Sequence, residues 1–142
     1  MPDTCTPRGH SASGALVYSL RENGPGLRLS TNFVLVEFAS RDGADEVKVH
    51  PALVALLEDL RERVGKPVHI NSGYRSPAHN RRIGGASRSR HVMGLAADVT
   101  VRGMTPSQVW KVLAAMNPGG LGRYRSFTHV DVEGTNRRWD NR

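Results

Sequence analysis

Apolar residues recur at helical spacing most clearly in one stretch, where Leu53, Leu56, Leu57, Leu60 and Val64 alternate with Glu58, Asp59, Arg61, Glu62 and Arg63. Steps of three and four residues place the first set on one face of a helix and the second on the other. The pattern predicts a helix over 51–64, with Pro51 in its first turn, Gly65 ending it and Pro67 just beyond. This helix reads as core scaffolding. A second helix is predicted from Thr105-Pro106 to about Met116, with Val109, Val112, Leu113 and Met116 as its buried stripe, and Asn117-Pro-Gly-Gly120 stopping it sharply. A shorter one over 77–83 takes Ser76 as its cap and ends at Gly84-Gly85.

Three stretches change to a period of two, which is the signature of a strand. Pro67-Val-His-Ile-Asn71 is a short one that leads into a turn over 72–77. Ala96-Ala-Asp-Val-Thr-Val101 puts Asp98 on a face with Ala96 and Thr100, and turns Ala97, Val99 and Val101 the other way. Thr128-His-Val-Asp-Val132 repeats this, with His129 and Asp131 on one side and Val130 and Val132 toward a core. If those two strands are neighbours, they offer Asp98, His129 and Asp131 to one cleft. Helices and strands in this order predict an α+β domain with a small, mainly antiparallel sheet and flanking helices. Residues 1–28 are rich in Pro, Gly and Ser and read as a loosely organised segment. Ala15–Leu20 is its one candidate strand, and Asn23-Gly-Pro-Gly26 is a turn signal. The expected division is therefore 1–28 and 29–142, with neither repeats nor low-complexity tracts.

Composition narrows the class. A chain of 142 residues with 38% apolar content suits one modest core. No run approaches the roughly 20 apolar residues a membrane-spanning helix needs. The opening Met-Pro-Asp-Thr-Cys-Thr-Pro-Arg lacks the apolar stretch of a signal peptide, so synthesis in the cytoplasm without such a leader is expected. A single cysteine, Cys5, excludes an internal disulfide and fits a reducing compartment. The formal charge of +7 favours anionic partners. Its arginines are dispersed, and no nucleic-acid recognition module is present. Many of them flank the stretch described next, where they would attract peptides bearing carboxylates. Nothing in the chain demands more than a monomer.

The chemistry concentrates in Ser89-Arg-His91-Val-Met-Gly94-Leu-Ala96-Ala-Asp98 and in His129-Val-Asp131. Two imidazoles and a carboxylate form a ligand set that tetrahedral Zn²⁺ prefers, and three protein ligands leave a fourth position for water, as in catalytic sites. His91 would come from the loop entering the strand, with Gly94 permitting a tight turn. His10, His50, His69 and His79 are poorer candidates, because they sit in the loose N-terminus, before a helix, on an outward strand position and on the short helix. Rival motifs are absent: there is no His-Glu-x-x-His helix, no Gly-x-Ser-x-Gly elbow and no Gly-rich phosphate loop ending in Lys-Ser/Thr.

Ser-x-His-x-x-Gly-x-Ala-x-Asp, preceded by Ser72-Gly-Tyr-Arg75-Ser-Pro77 and followed by Phe127-Thr-His-Val-Asp131, resembles the M15 zinc peptidases. These are the D-Ala-D-Ala carboxypeptidases, the murein endopeptidases and the L-Ala-D-Glu peptidases used as phage endolysins. The resemblance runs from about Leu29 to Trp139. It takes in Asn32-Phe33, Gly65-Lys-Pro67, Asn80-Arg-Arg-Ile-Gly84, Gly119-Gly-Leu-Gly-Arg-Tyr124 and Arg138-Trp139. It implies the hedgehog/DD-peptidase fold, one Zn²⁺ on His91, Asp98 and His129, and peptidoglycan peptides as substrate. It further implies that Arg75 holds a substrate carbonyl or carboxylate and that Ser89 supports the pocket. Tyr124 is a candidate donor to an oxyanion. Several branches of the family carry a Glu or Asp base three residues before the last His, where this chain has Ser126. Asp131 is then the expected general base, with Glu133 the alternative, and a role for Asp131 in orienting His129 also stays open. The biological setting expected is a phage or prophage endolysin acting on the cell wall. A bacterial carboxypeptidase or endopeptidase of wall remodelling and an inactive zinc-bearing wall-binding or tail module are the alternatives.

Overall fold

The computed structural model describes residues 9–142. The elements follow the order β1 (Gly9–His10), β2 (Leu16–Ser19), α1 (Leu20–Asn23), a 3₁₀ turn at Leu35–Phe38, β3 (Glu46–Val49), α2 (Pro51–Val64), β4 (Val68–Ser72), α3 (Pro77–Arg82), β5 (Ala96–Val101), α4 (Pro106–Ala114), β6 (Gly120–Arg123), β7 (Thr128–Asp131) and β8 (Arg137–Asp140). The strands form two sheets: β1-β2-β3, and a five-stranded sheet ordered β4-β5-β7-β6-β8. In the larger sheet only the β6–β8 pair is parallel. The α+β, mainly antiparallel architecture read from the sequence is the one observed.

α2 follows its apolar stripe. Pro51 opens it, the His50 side chain accepts the Ala52 N–H, and Gly65 closes it in the left-handed region at φ 66°. The stripe is rotated slightly from expectation: Val54 is buried beside Leu53, Leu57 and Leu60, whereas Leu56 and Val64 are only partly covered. α4 begins at a capping box of Thr105 and Gln108 and stops two residues short of Met116. Its last turn tightens, with the Met116 N–H donating to Leu113 O at 2.9 Å. α3 carries the expected Ser76 cap, whose hydroxyl accepts the His79 N–H at 3.1 Å.

The predicted strand within residues 15–20 exists as β2 and pairs with β3, bringing Tyr18 opposite Val47. Cys5 lies outside the described residues. The sequence pattern does not predict β1, β3, β6 or β8. In β6 the sequence Gly120-Leu-Gly122 weakens any strand signal, since glycine has no side chain to pack on a pleated face. Core residues Val99, Val101, Leu121 and Val130 occupy one face of the large sheet with α2 and α4, so the odd–even alternation of β5 and β7 leaves the other face to polar groups.

Candidate metal centre

Two rows of residues cross the large sheet on its polar face. Pairing registers Ser72 with Asp98, Asp98 with His129, His129 with Gly122 and Gly122 with Trp139. The adjacent row runs Ala96, Asp131, Gly120, Arg137. Antiparallel pairing of β5 with β7 therefore places the Asp98 carboxylate beside the His129 ring, as the sequence pattern required.

His91 arrives from the loop before β5. Its ring Nδ1 lies 2.8 Å from the carbonyl of Gly73 and its backbone N–H donates to Ser89 Oγ at 3.2 Å. Gly94 turns this loop back at φ +75°, with its backbone so close to β3 that a Cβ would sit 2.7 Å from the Lys48 carbonyl. The Gly94 carbonyl in turn accepts the His50 N–H at 2.9 Å. The smaller sheet thus braces the loop that carries a ligand.

His91 Nε2, Asp98 Oδ1 and His129 Nδ1 converge. The carboxylate oxygen is 3.1 Å from the first nitrogen and 3.0 Å from the second, and the three residues can hold a metal ion. Tetrahedral donors around zinc stand about 3.3 Å apart at the usual bond lengths, so the separations fit. Protonation supplies a stricter test. A carbonyl only accepts, so His91 Nδ1 must carry the hydrogen that bonds Gly73. A carboxylate only accepts, so His129 Nε2 must carry the one that bonds Asp131 Oδ2 at 2.9 Å. In the neutral rings, the nitrogens facing Asp98 are then bare lone pairs, and three acceptors point at one place. A cation reconciles them. Both second nitrogens are also bonded to acceptors of the kind that orient metal-bound histidines.

Electrostatics follow from the same contacts. Burial opposes ionisation of Asp98, but its hydrogen bonds to His129 and His91 outweigh that and hold its carboxyl well below the usual range. Burial likewise opposes charge on His129, yet the Asp131 and Asp98 carboxylates prevail and raise its pKa. Asp131, despite burial, is lowered by His129, the Glu133 N–H and Arg137.

The other expected residues divide. Arg75 donates from Nη2 to Asp98 Oδ2 and from Nε to Ser72 Oγ, both at 3.2 Å, so its guanidinium sits against the ligand carboxylate at the cleft wall. Ser89 is buried beneath the His91 loop and also lines the cleft. Tyr124 stacks on Phe127 with ring centroids 4.5 Å apart, and its hydroxyl accepts the Trp139 indole N–H at 3.0 Å. Asp131 has no exposed surface. Its two oxygens accept from His129, the Glu133 N–H and Arg137, with the shortest arginine contact at 2.7 Å. Glu133 is tied to Arg90 at 2.8 Å in a half-exposed pair. Arg137 and Trp139 were not among the expected site residues. In the sequence Arg137 reads as one of the dispersed arginines and Arg138-Trp139 as part of the family resemblance, because nothing local announces that a strand after the last histidine folds back over the site.

The cleft above these groups has a volume of about 780 Å³. Arg75, Arg90, Arg137 and Arg138 give it cationic walls, and Tyr124, Phe127 and Trp139 give it an aromatic side. Among the described residues, no helix is long and apolar enough to cross a membrane.

A family model described as Peptidase M15 matches residues 28–132. The chain is 35% identical over 106 residues to the peptidoglycan L,D-endopeptidase MepK of Escherichia coli strain K12, covering 68% of this chain and 58% of that protein. The same figures hold for MepK of Shigella flexneri. Over 51 residues it is 47% identical to the zinc D-Ala-D-Ala carboxypeptidase of Streptomyces albus G, covering 34% of this chain and 20% of the relative. The chain spans a little over half the length of the MepK relatives.

Proposed function

The chain belongs to the M15 peptidases, and from that premise we propose that it is a zinc-dependent peptidase hydrolysing peptide bonds in the stems or crosslinks of bacterial peptidoglycan. The observation that carries the reading is the convergence of two imidazole lone pairs on Asp98 Oδ1 at the floor of a cationic cleft. His91, Asp98 and His129 would hold the ion. Bound there, zinc supplies a Lewis acid for the scissile carbonyl and lowers the pKa of a coordinated water to about 7.

The protein's own groups have distinct tasks in this proposal. Arg75 offers the outer edge of its guanidinium to a substrate carbonyl or carboxylate while its Nη2 keeps Asp98 in place. Ser89 fixes the His91 backbone. Tyr124 and Phe127 form a stacked wall for the peptide, and the Tyr124 hydroxyl proton is free to donate to an oxyanion, since the oxygen accepts from Trp139. For Asp131 the geometry favours orientation of His129 over action as a base: it meets Nε2, while Nδ1 is the atom turned to Asp98, so the imidazole ring stands between the Asp131 carboxylate and the place where the three candidate ligand atoms converge.

Residues 29–142 would be the catalytic unit, with β1 and β2 as a brace ahead of it. The basic surface suits an anionic envelope, which supports an endolysin of phage or prophage origin working on the cell wall. Similarity to MepK favours a second reading, a bacterial L,D-endopeptidase of wall remodelling.

Mass spectrometry of purified peptidoglycan after digestion, with chelator and with zinc added back, tests the function. Zinc-dependent release of a defined peptide is expected, and its termini identify the bond. A protein that holds one zinc at this site and releases nothing would instead point to a binding module or to a substrate outside the cell wall.

A further inference from the structure

We infer that Arg137 and Trp139, on the last strand of the sheet, are positioning residues for the metal site, holding His129 through two separate contacts. The inference rests on the metal reading above and adds a part of the chain that lies beyond the family match, which ends at residue 132.

β8 is not a neighbour of β7, because β6 lies between them. Side chains two strands apart would ordinarily be separated by the side chain of the strand between them. Here that strand presents Gly120 and Gly122 to the site face, and the space they leave is filled from β8. A Cβ on Gly120 would fall 2.3 Å from Asp131 Oδ2 and 2.5 Å from Arg137 Nη2. A Cβ on Gly122 would fall 2.4 Å from the Trp139 indole. The two glycines open two channels across β6, one for each row of the site.

Through the first channel Arg137 clamps Asp131. Nη2 reaches Oδ2 at 2.7 Å and Nη1 reaches Oδ1 at 3.2 Å, the two-pronged geometry that fixes a carboxylate plane as well as its place. Oδ2 is also the oxygen that receives the His129 Nε2 hydrogen. The relay from Arg137 through Asp131 to His129 therefore keeps the hydrogen on Nε2 and the lone pair on Nδ1, toward Asp98. Through the second channel Trp139 packs on the His129 ring, with centroids 5.1 Å apart, and is itself pinned by its N–H to Tyr124. One contact sets the ring's tautomer and rotation, and the other sets its tilt. Without the Asp131 contact, Asp98 is the one side chain hydrogen-bonded to the His129 ring among the described residues.

The test uses the full chain, with Arg137→Gln, Arg137→Lys and Trp139→Leu compared with the parent. Zinc dissociation constants come from competition with a chromogenic chelator, and imidazole ¹⁵N NMR reports the His129 tautomer with and without metal. Arg137→Gln is expected to weaken zinc binding about 10- to 100-fold, in the range for outer partners of metal ligands, and to shift His129 away from the Nε2–H form. Arg137→Lys should recover part of both, since a lysine restores charge without the fork. Trp139→Leu should weaken binding while leaving the tautomer unchanged. The proposal is overturned if Arg137→Gln, shown folded by circular dichroism, binds zinc as the parent does and keeps the parent tautomer. A parent chain that binds no zinc would overturn the metal reading itself, and the positioning role with it.

Discussion

The two histidines of the site are held in opposite ways. His91 is fixed by main chain: its ring bonds the Gly73 carbonyl, its own carbonyl accepts the Arg75 N–H, and its loop is turned by Gly94 against the backbone of β3. His129 sits in a regular strand and is fixed by side chains, with Asp131 and Trp139 touching its ring. A support made of backbone is insensitive to most substitutions and fails when the path of the chain changes. A support made of side chains can be removed one group at a time with the fold intact.

The largest effects erase the difference. Replacing His91, Asp98 or His129 with Ala should abolish zinc retention and hydrolysis alike, measured by metal content and peptide release. A variant that keeps stoichiometric zinc would show that its residue is not a ligand. Gly94→Ala strikes the backbone side: a side chain at φ +75° pressed onto the Lys48 carbonyl should cost on the order of 1–3 kcal/mol of stability. Its melting temperature should fall together with its zinc affinity. Asp131→Asn strikes the other side and should weaken zinc binding about 10- to 100-fold at nearly unchanged fold content. If instead it keeps parental zinc affinity and loses only turnover, the base role returns to Asp131.

A smaller effect concerns pH. His129 has a raised pKa in the metal-free protein, so protons compete with the metal from above the ordinary histidine range near 6.5, and zinc affinity should decline on acidification from there. The sign for stability is the reverse. A raised pKa stabilises the metal-free fold below the unfolded value, and that contribution is lost as pH rises through the folded one. Thermal melts of chelated and zinc-loaded protein across this window should therefore diverge as pH increases. Parallel curves would contradict the assigned contacts of His129.

Much of this asymmetry was legible in the sequence. The period-two pattern put Asp98, His129 and Asp131 on one face, because alternation across a strand is fixed by backbone geometry. The need for Gly94 in a tight turn was also readable. What stayed hidden depended on distant pairing. Gly120-Leu-Gly122 carries no strand signal of its own, and Arg137 looks like one more surface arginine until β8 docks parallel to β6. The tasks expected of Arg75 and Asp131 depend on which atoms they meet, and spacing along a chain does not encode that.

The charges around the ion have a consequence for substrate capture. Asp98 and Asp131 contribute two negative charges to the floor of the cleft, and Arg75 and Arg137 contribute two positive ones, each pair in direct contact. Without a cation that quartet is formally neutral. A divalent ion leaves it with an excess of two positive charges at the base of a recess, where low-dielectric walls focus the field. Loading with metal would therefore deepen the pull that Arg90 and Arg138 already exert on the carboxylates of a peptide stem, and concentrate it at the floor of the cleft.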